Sequence, residues 1–323
     1  MEELNERILS NTYGRLYAER YFSREKRVMV TGYLKLILEN YKRKLADLDW
    51  MREATNKQAI AKWDRIAMHV GAPTAWPAYL DQCHAVRPEQ GGSLIDNVIA
   101  LRQLKAADDR NRLGKPVRKD LWEEMQPQVA NAFYDPQKNS INFSAAILQA
   151  PFFDVKMDQA TNLGGIGAVM AHEITHCFDT VGAHFDEQGR LHNWWSEQDY
   201  AEFKKRQADV IKFYDRYVLL NGTRLNGTQT MVENIADLGA LSCLSDIIGP
   251  NPANLRLMYT NYAIIWQSKL SDAMLQDYLA DAHSLPYVRV DAVLSSTDGF
   301  YKAYDVQPGD GMYVAPEERA RLW

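Results

Sequence analysis

The chain has 323 residues, a formal net charge of −5, 46% hydrophobic residues and 24% charged residues. That is an ordinary globular composition with room for one large or two ordinary domains, and its acidic balance leaves no basic footprint for nucleic acid. No apolar run reaches the ~18 residues of a membrane span. Cys83, Cys177 and Cys243 are far apart and form no C-x-x-C, which argues against a disulfide framework or a cysteine zinc site. The acidic start, Met1-Glu2-Glu3, is no secretory signal, so a reducing, cytoplasmic setting is expected.

Residues 1–110 read as helical. Arg27 to Ala46 carries Val30, Tyr33, Leu34, Ile37, Tyr41 and Leu45 at helical spacing. Thr55-x-x-Gln58 reads as a capping box for a second helix that bears Ile60 and Trp63 and ends at Gly71. Ser93 is placed to cap a helix with Leu94, Val98, Leu101 and Leu104 inward, and Asp108 to Arg112 reads as its solvated end. The texture changes near residue 128: Gln128 to Tyr134, a turn at Asp135 to Asn139, and Ser140 to Phe143 read as strand, turn, strand. After Gly164-Gly165 comes Val169-Met-Ala-His172-Glu173-Ile-Thr-His176, an H-E-x-x-H in a nearly all-apolar helix.

On a helix, positions i and i+4 share a face, so His172 and His176 can grip one metal ion. Glu173 lies about 100° round, placed to touch a water on that metal but not to ligate. The pattern matches two zinc ligands and the general base of a metallopeptidase. Burying these polar groups without partners would cost roughly 2–7 kcal/mol each, so an inert core role is disfavoured.

Further on, Ser196-x-x-Asp199 opens an amphipathic helix, and Asn221-Gly-Thr and Asn226-Gly-Thr read as turns rather than glycosylation sites. A helix is predicted from Thr230, another over Pro252 to Lys269, an extended stretch after His283, and a short helix over Asp298 to Tyr304.

A catalytic zinc usually takes three protein ligands and keeps one position open. A third histidine in metzincin register is absent, because Asp179 and Gly182 hold the required positions and His184 is out of step. Glu197 has a suitable spacing but follows the Ser196 cap like a first-turn acid. Glu233, with Asp237 one turn on, suits a ligand plus a carboxylate that holds a zinc histidine by its other nitrogen. Thr230-x-x-Glu233 is equally a capping box, and the residues alone leave these readings open.

His172-Glu-Ile-Thr-His-Cys-Phe-Asp179 together with Glu233-Asn-Ile-Ala-Asp237-Leu-Gly resembles the neprilysin and endothelin-converting-enzyme family of zinc metallopeptidases. Asn131-Ala-Phe-Tyr134, Ile147-Leu-Gln-Ala-Pro-Phe-Phe153, His283-Ser with Arg289, and Pro316-Glu with Trp323 agree with it, as do Gly14-Arg-Leu-Tyr17 and Leu48-Asp-Trp-Met51. Departures are Cys177 where a small residue is usual, Ser144 where proline is usual, and an ending without the cysteine of animal members, which points to the bacterial branch.

The resemblance implies a mainly α (α+β) fold: a thermolysin-like zinc lobe with a small sheet over 101–323, and part of a second, all-helical lobe over 1–100. It selects Glu233 as third ligand and implies one Zn²⁺ per chain, with Glu173 as general base, His283 at the oxyanion, and Asp237 and Asp179 orienting the zinc histidines. It implies oligopeptide substrates whose backbone adds as a strand to Asn131 and Ala132, with Arg289 on a substrate carbonyl. Ile147, Phe152, Val169 and Trp266 would line the apolar pocket after the scissile bond. Family members are about twice as long, so the chain is expected to be a fragment or an unusually short product. On that expectation some apolar positions such as Tyr33, Ile37 and Trp63 lack buried partners, the cleft is open, hydrolysis is weak and the chain tends to associate. The rival expectation is an inactive remnant that only binds zinc or a partner.

Overall fold

The structure, a computed structural model, describes residues 9–116, 122, 125–219 and 222–321. The acidic start, Asn221 and Trp323 lie outside the described residues. Helix α1 spans Ser10–Tyr21, α2 Arg24–Ala46 and α3 Glu53–Asp64. Ser23 caps α2 by accepting from the Lys26 amide, and α2 buries Val30, Leu34, Ile37 and Tyr41 along one face. Tyr33, Ile37 and Trp63, expected among the unpartnered positions, are all buried. The Trp63 ring packs edge-on against Phe178, two residues after His176, at 4.6 Å.

Two sequence expectations for this segment fail. The third helix starts behind Arg52, and Thr55 is not its cap; the Thr55 hydroxyl is buried and donates to Asp199 Oδ2 at 2.5 Å. Nor does the helix run to Gly71. It stops at Asp64, and Ala67–Gly71 forms strand β1. A parallel partner decides this: β1 pairs with β3, Ser140–Ser144, in the register Ala67 with Ser140 and Gly71 with Ser144. Strand β2, Ala132–Asp135, joins β3 antiparallel, and the order β1-β3-β2 leaves β2 at an edge.

Helix α4 is the short Tyr79–Gln82, and α5 spans Leu94–Arg112. Ser93 caps α5 as predicted, accepting from the Asp96 amide. Of the expected inward residues only Leu101 is buried.

Helix α6, Gln159–Asn162, runs through a π turn at Leu163–Gly167 into α7, Ala168–Thr175, and a 3-10 turn at His176–Phe178. Helix α8 spans Glu197–Tyr214 behind its Ser196 cap. Helix α9, Gly227–Ile248, begins three residues before the predicted Thr230. Asn226 is the true cap, accepting from the Gln229 amide at 3.1 Å. Thr230 therefore lies inside the helix, where its hydroxyl donates to the Asn226 carbonyl, and Glu233 is not part of a capping box.

Helix α10, Pro252–Ile265, is shorter than predicted; α11 spans Asp272–Ala280; α13 spans Asp298–Tyr304 as predicted. Between them, Pro286–Ser295 is helix α12 and not an extended stretch. Pro286 sits at its first turn, where a missing amide costs nothing, and Val288, Ala292 and Val293 are buried at helical spacing.

One apolar core runs from α2 and α3 through β3 and α7 to α9 and α12. Helix α2 also bonds across it: the Tyr41 hydroxyl donates to the Ala171 carbonyl at 3.0 Å, and the Asn40 amide to the Cys243 carbonyl at 3.0 Å. The fold is mainly α with one small mixed sheet. Among the described residues no helix is long and apolar enough to cross a membrane.

Candidate metal centre

Helix α7 reaches its place through the double glycine. A Cβ on Gly164 would stand 2.0 Å from the Met258 carbonyl oxygen, so only glycine lets the π turn press onto α10. Helix α9 then packs along α7, and the two bring three side chains together. His172 Nε2 and His176 Nε2 are 3.0 Å apart. Glu233 Oε2 lies 3.1 Å from the first and 3.6 Å from the second. Among the described residues this is the one group of three His, Cys, Asp or Glu side chains able to hold a metal ion.

The outer nitrogens are fixed. His172 Nδ1 faces Asp237 Oδ1 at 2.8 Å, and His176 Nδ1 faces Asp179 Oδ2 at 2.7 Å. If each Nδ1 carries the hydrogen, each Nε2 presents a lone pair, and two lone pairs face each other beside a carboxylate. Glu233 Oε2 is buried and makes no hydrogen bond of sound geometry. A cation satisfies all three at once. Ligand arms of ~2.0–2.1 Å in a tetrahedron give edges of about 3.3 Å, and the observed separations of 3.0, 3.1 and 3.6 Å bracket that value.

The electrostatics agree. Burial disfavours a charged His172, yet Asp237 and Glu233 outweigh it and raise its pKa. His176 is likewise buried, and Asp179 and Glu233 raise it further. Burial would lift Glu233, but the imidazoles of His172, His176 and His283 hold it far below the carboxylate range. Asp237 is buried too, and Arg289 and His172 bring it to about 2. A place that favours protons on its histidines this strongly favours any positive charge.

Arg289 comes from α12 and is itself buried. Its Nε donates to Asp237 Oδ2 at 2.6 Å and its Nη2 to Asp237 Oδ1 at 2.7 Å, while its guanidinium lies 3.8 Å over the Trp266 ring. The planar fork expected on a substrate carbonyl therefore grips Asp237 through Nε and Nη2.

His283 stands in the loop before α12 with Nε2 3.1 Å from Glu233 Oε2. Its Nδ1 faces Asp281 Oδ1 at 2.7 Å, and the same oxygen accepts the His283 amide. Sequence reasoning missed Asp281; the available signal was an aspartate two residues before a site histidine, the spacing of a side-chain turn. The next residue, Ser284, donates to Asn234 Oδ1 at 2.7 Å, and the Asn234 amide donates to Thr230 at 2.9 Å.

One cleft of about 290 Å³ is lined by Asn131, Ala132, Ile147, Phe152, Val169, His172, Glu173, Trp266, His283 and Arg289, so every predicted substrate residue opens on it beside Glu173. The edge strand β2 enters the cleft at Ala132. Ser144, the departure from the usual proline, holds the strand's start: its amide donates to the Asn131 carbonyl at 3.2 Å, which proline has no hydrogen to do, and its hydroxyl accepts from the Asn131 amide. Glu197 is elsewhere, in the first turn of α8. His184 sits in a 3-10 turn with its ring against Tyr200. Burial lifts the Cys177 thiol to about 12, so it is inert packing and no nucleophile.

The chain matches the peptidase family M13 over residues 131–320 and again over residues 2–73. It is 35% identical over 311 residues to the neutral endopeptidase of Lactobacillus helveticus, covering 96% of this chain and 47% of that protein. It is 32% identical over 334 residues to neprilysin-3 of Drosophila melanogaster, covering 98% of this chain and 42% of that one. Among solved structures it resembles PEPO from Lactobacillus rhamnosis HN001, with TM-score 0.90, 31% identity, and 98% and 50% of the two chains covered. It also resembles the Mycobacterium tuberculosis zinc metalloprotease ZMP1 in complex with inhibitor, with TM-score 0.86, 34% identity, and 99% and 50% covered. The chain spans about half the length of the curated relatives it matches. By fold, by sequence over most of its length and by the residues gathered between α7 and α9, the chain belongs to peptidase family M13.

Proposed function

We propose that this chain carries the catalytic part of a zinc endopeptidase acting on oligopeptides, with one Zn²⁺ held by His172, His176 and Glu233. The observation that carries the reading is the convergence of those three ligand atoms, with Glu173 and an open strand edge on the same cleft. Zinc at such a site would supply a Lewis acid and lower the pKa of a water toward about 7. Glu173 takes the proton from the attacking water and passes it to the leaving amine. His283 donates from Nε2 to the oxygen that gains charge, while Asp281 fixes its ring. Asn131 and Ala132 hold the substrate backbone along the free edge of β2, and Arg289 offers Nη1 to a substrate carbonyl. Ile147, Phe152, Val169 and Trp266 form the apolar wall that favours an apolar residue after the scissile bond.

Metal analysis and a quenched-fluorescence peptide assay test this. Glu173→Gln should keep zinc and lose hydrolysis by about 10²–10⁴-fold. Loss of zinc along with activity would put Glu173 among the ligands and end the assignment. A second reading is an inactive or impaired chain that acts only as a zinc-binding or interaction protein. It would be supported by zinc at one per chain with wild-type turnover no better than Glu173→Gln. The expected association through Tyr33, Ile37 and Trp63 has no support, because all three are buried.

A further inference from the structure

Lys62 is 1% exposed. Lysines are almost never fully buried unless paired. This one, from α3, donates to three backbone carbonyls: Cys177 at 2.8 Å, Gly182 at 2.5 Å and Phe185 at 2.9 Å. Its three hydrogens are matched one to one. Burial lowers its pKa to about 8 even with Asp179 and Asp186 nearby, so the fold gives up solvation of a charge to keep it there.

All three acceptors belong to the stretch that follows His176. That stretch doubles back on the end of the zinc helix so closely that a Cβ on Gly182 would stand 1.9 Å from the His176 carbonyl oxygen. Asp179 is the pivot. Its Oδ1 accepts the Val181 and Gly182 amides at 2.7 Å each, and its Oδ2 holds His176 Nδ1. Gly182 is thus held by its amide to Asp179 and by its carbonyl to Lys62.

The two ligand histidines then have parallel supports. His172 leans on Asp237, and Arg289 fixes that carboxylate directly. His176 leans on Asp179, whose loop Lys62 fixes through its carbonyls.

We infer that Lys62 is a positioning residue for the metal centre: through the Gly182 and Asp179 loop it sets the His176 ring and slows loss of the metal. The inference rests on the zinc reading above. It also gives the N-terminal helical segment a role in metal retention, since Lys62 lies outside the motif-bearing residues 131–320.

The test is the rate of zinc release to excess chelator for wild type, Lys62→Met, Asp179→Asn and the double variant, with a thermal melt of each. Lys62→Met has the length and no donor. It should speed zinc release by about 10–100-fold, the usual effect of removing a residue that holds a ligand. Asp179→Asn should do about the same, and the double variant should be little faster than either single, because both act through one loop. Lys62→Gln, with two donor hydrogens, should fall between, and it replaces Lys62→Met in the cycle if that variant does not fold. Wild-type release rates with only a lowered melt would make Lys62 purely structural and overturn the inference. Effects that multiply in the double variant would also overturn it, because the two residues would then act independently. Wild type that holds no zinc ends the zinc reading, and this inference with it; wild type that holds zinc beside unchanged variants sinks this inference alone.

Discussion

Helices α5 and α9 differ little in length, 19 residues against 22, and both carry apolar residues at helical spacing. Helix α9 is wrapped on α7, α8 and α2 and buries most of its middle. Helix α5 buries Leu101 and leaves Leu94, Ile95 and Ile99 exposed. Its helicity has local causes: the Ser93 cap and the Lys105–Asp109 and Arg112–Asp108 pairs, each pair worth about 0.2–0.5 kcal/mol. Periodicity therefore reports which face of a helix can be covered, and the rest of the chain decides whether it is. Glu233, the proposed third zinc ligand, is on the helix where both hold.

Substitutions can break or sharpen that contrast. The largest effect is expected at Asp237→Ala, which strands Arg289 as a buried unpaired charge. Chemical denaturation should show a loss of about 3–5 kcal/mol. An unchanged midpoint would mean Arg289 finds water or another partner. Ile235→Ala on α9, at 0% exposure, should cost about 2–5 kcal/mol, and Ile95→Ala on α5, at 70%, within about 0.5 kcal/mol. Equal losses for the matched pair would erase the distinction between the two helices. Ser196→Ala removes a cap that accepts from the Asp199 amide and should lower stability by about 1 kcal/mol. Glu197→Ala should shift stability by about 0.3–1 kcal/mol and leave zinc content unchanged. Zinc loss there would revive Glu197 as the third ligand.

How much of this was legible in the sequence follows the range of the interactions. The H-E-x-x-H helix is local chemistry, and its spacing placed His172, Glu173 and His176 where the structure has them. Ser93 and Ser196 are also local, and both caps formed. Strand β1 reads locally as the tail of a helix because its partner is Ser140 to Ser144, far along the chain. Helix α12 stands where an extended stretch is expected; Pro286 sits at its first turn, a position proline tolerates. Thr230 looked like a cap because the residues before it looked like a turn; Asn226 served both purposes. Lys62 gave no signal, since a lysine on an amphipathic helix normally points at water, and only three carbonyls from a distant loop make its burial tolerable.

The hydroxyl of Ser284 on Asn234 has a consequence for timing. Asn234 adjoins Glu233, the proposed ligand, and Ser284 adjoins His283, so the loop before α12 is fastened to α9 at the very residues that flank the site. A loop held this way loses its conformational freedom when the chain folds, not when a peptide arrives. Binding of a peptide at the proposed site would then order the peptide and very little of the protein, and each rotamer-rich side chain already fixed would save roughly 0.5–1.5 kcal/mol at that moment. Calorimetry of peptide binding should record a smaller entropic penalty in the native chain than in Asn234→Ala, where the same loop must be quieted by the ligand.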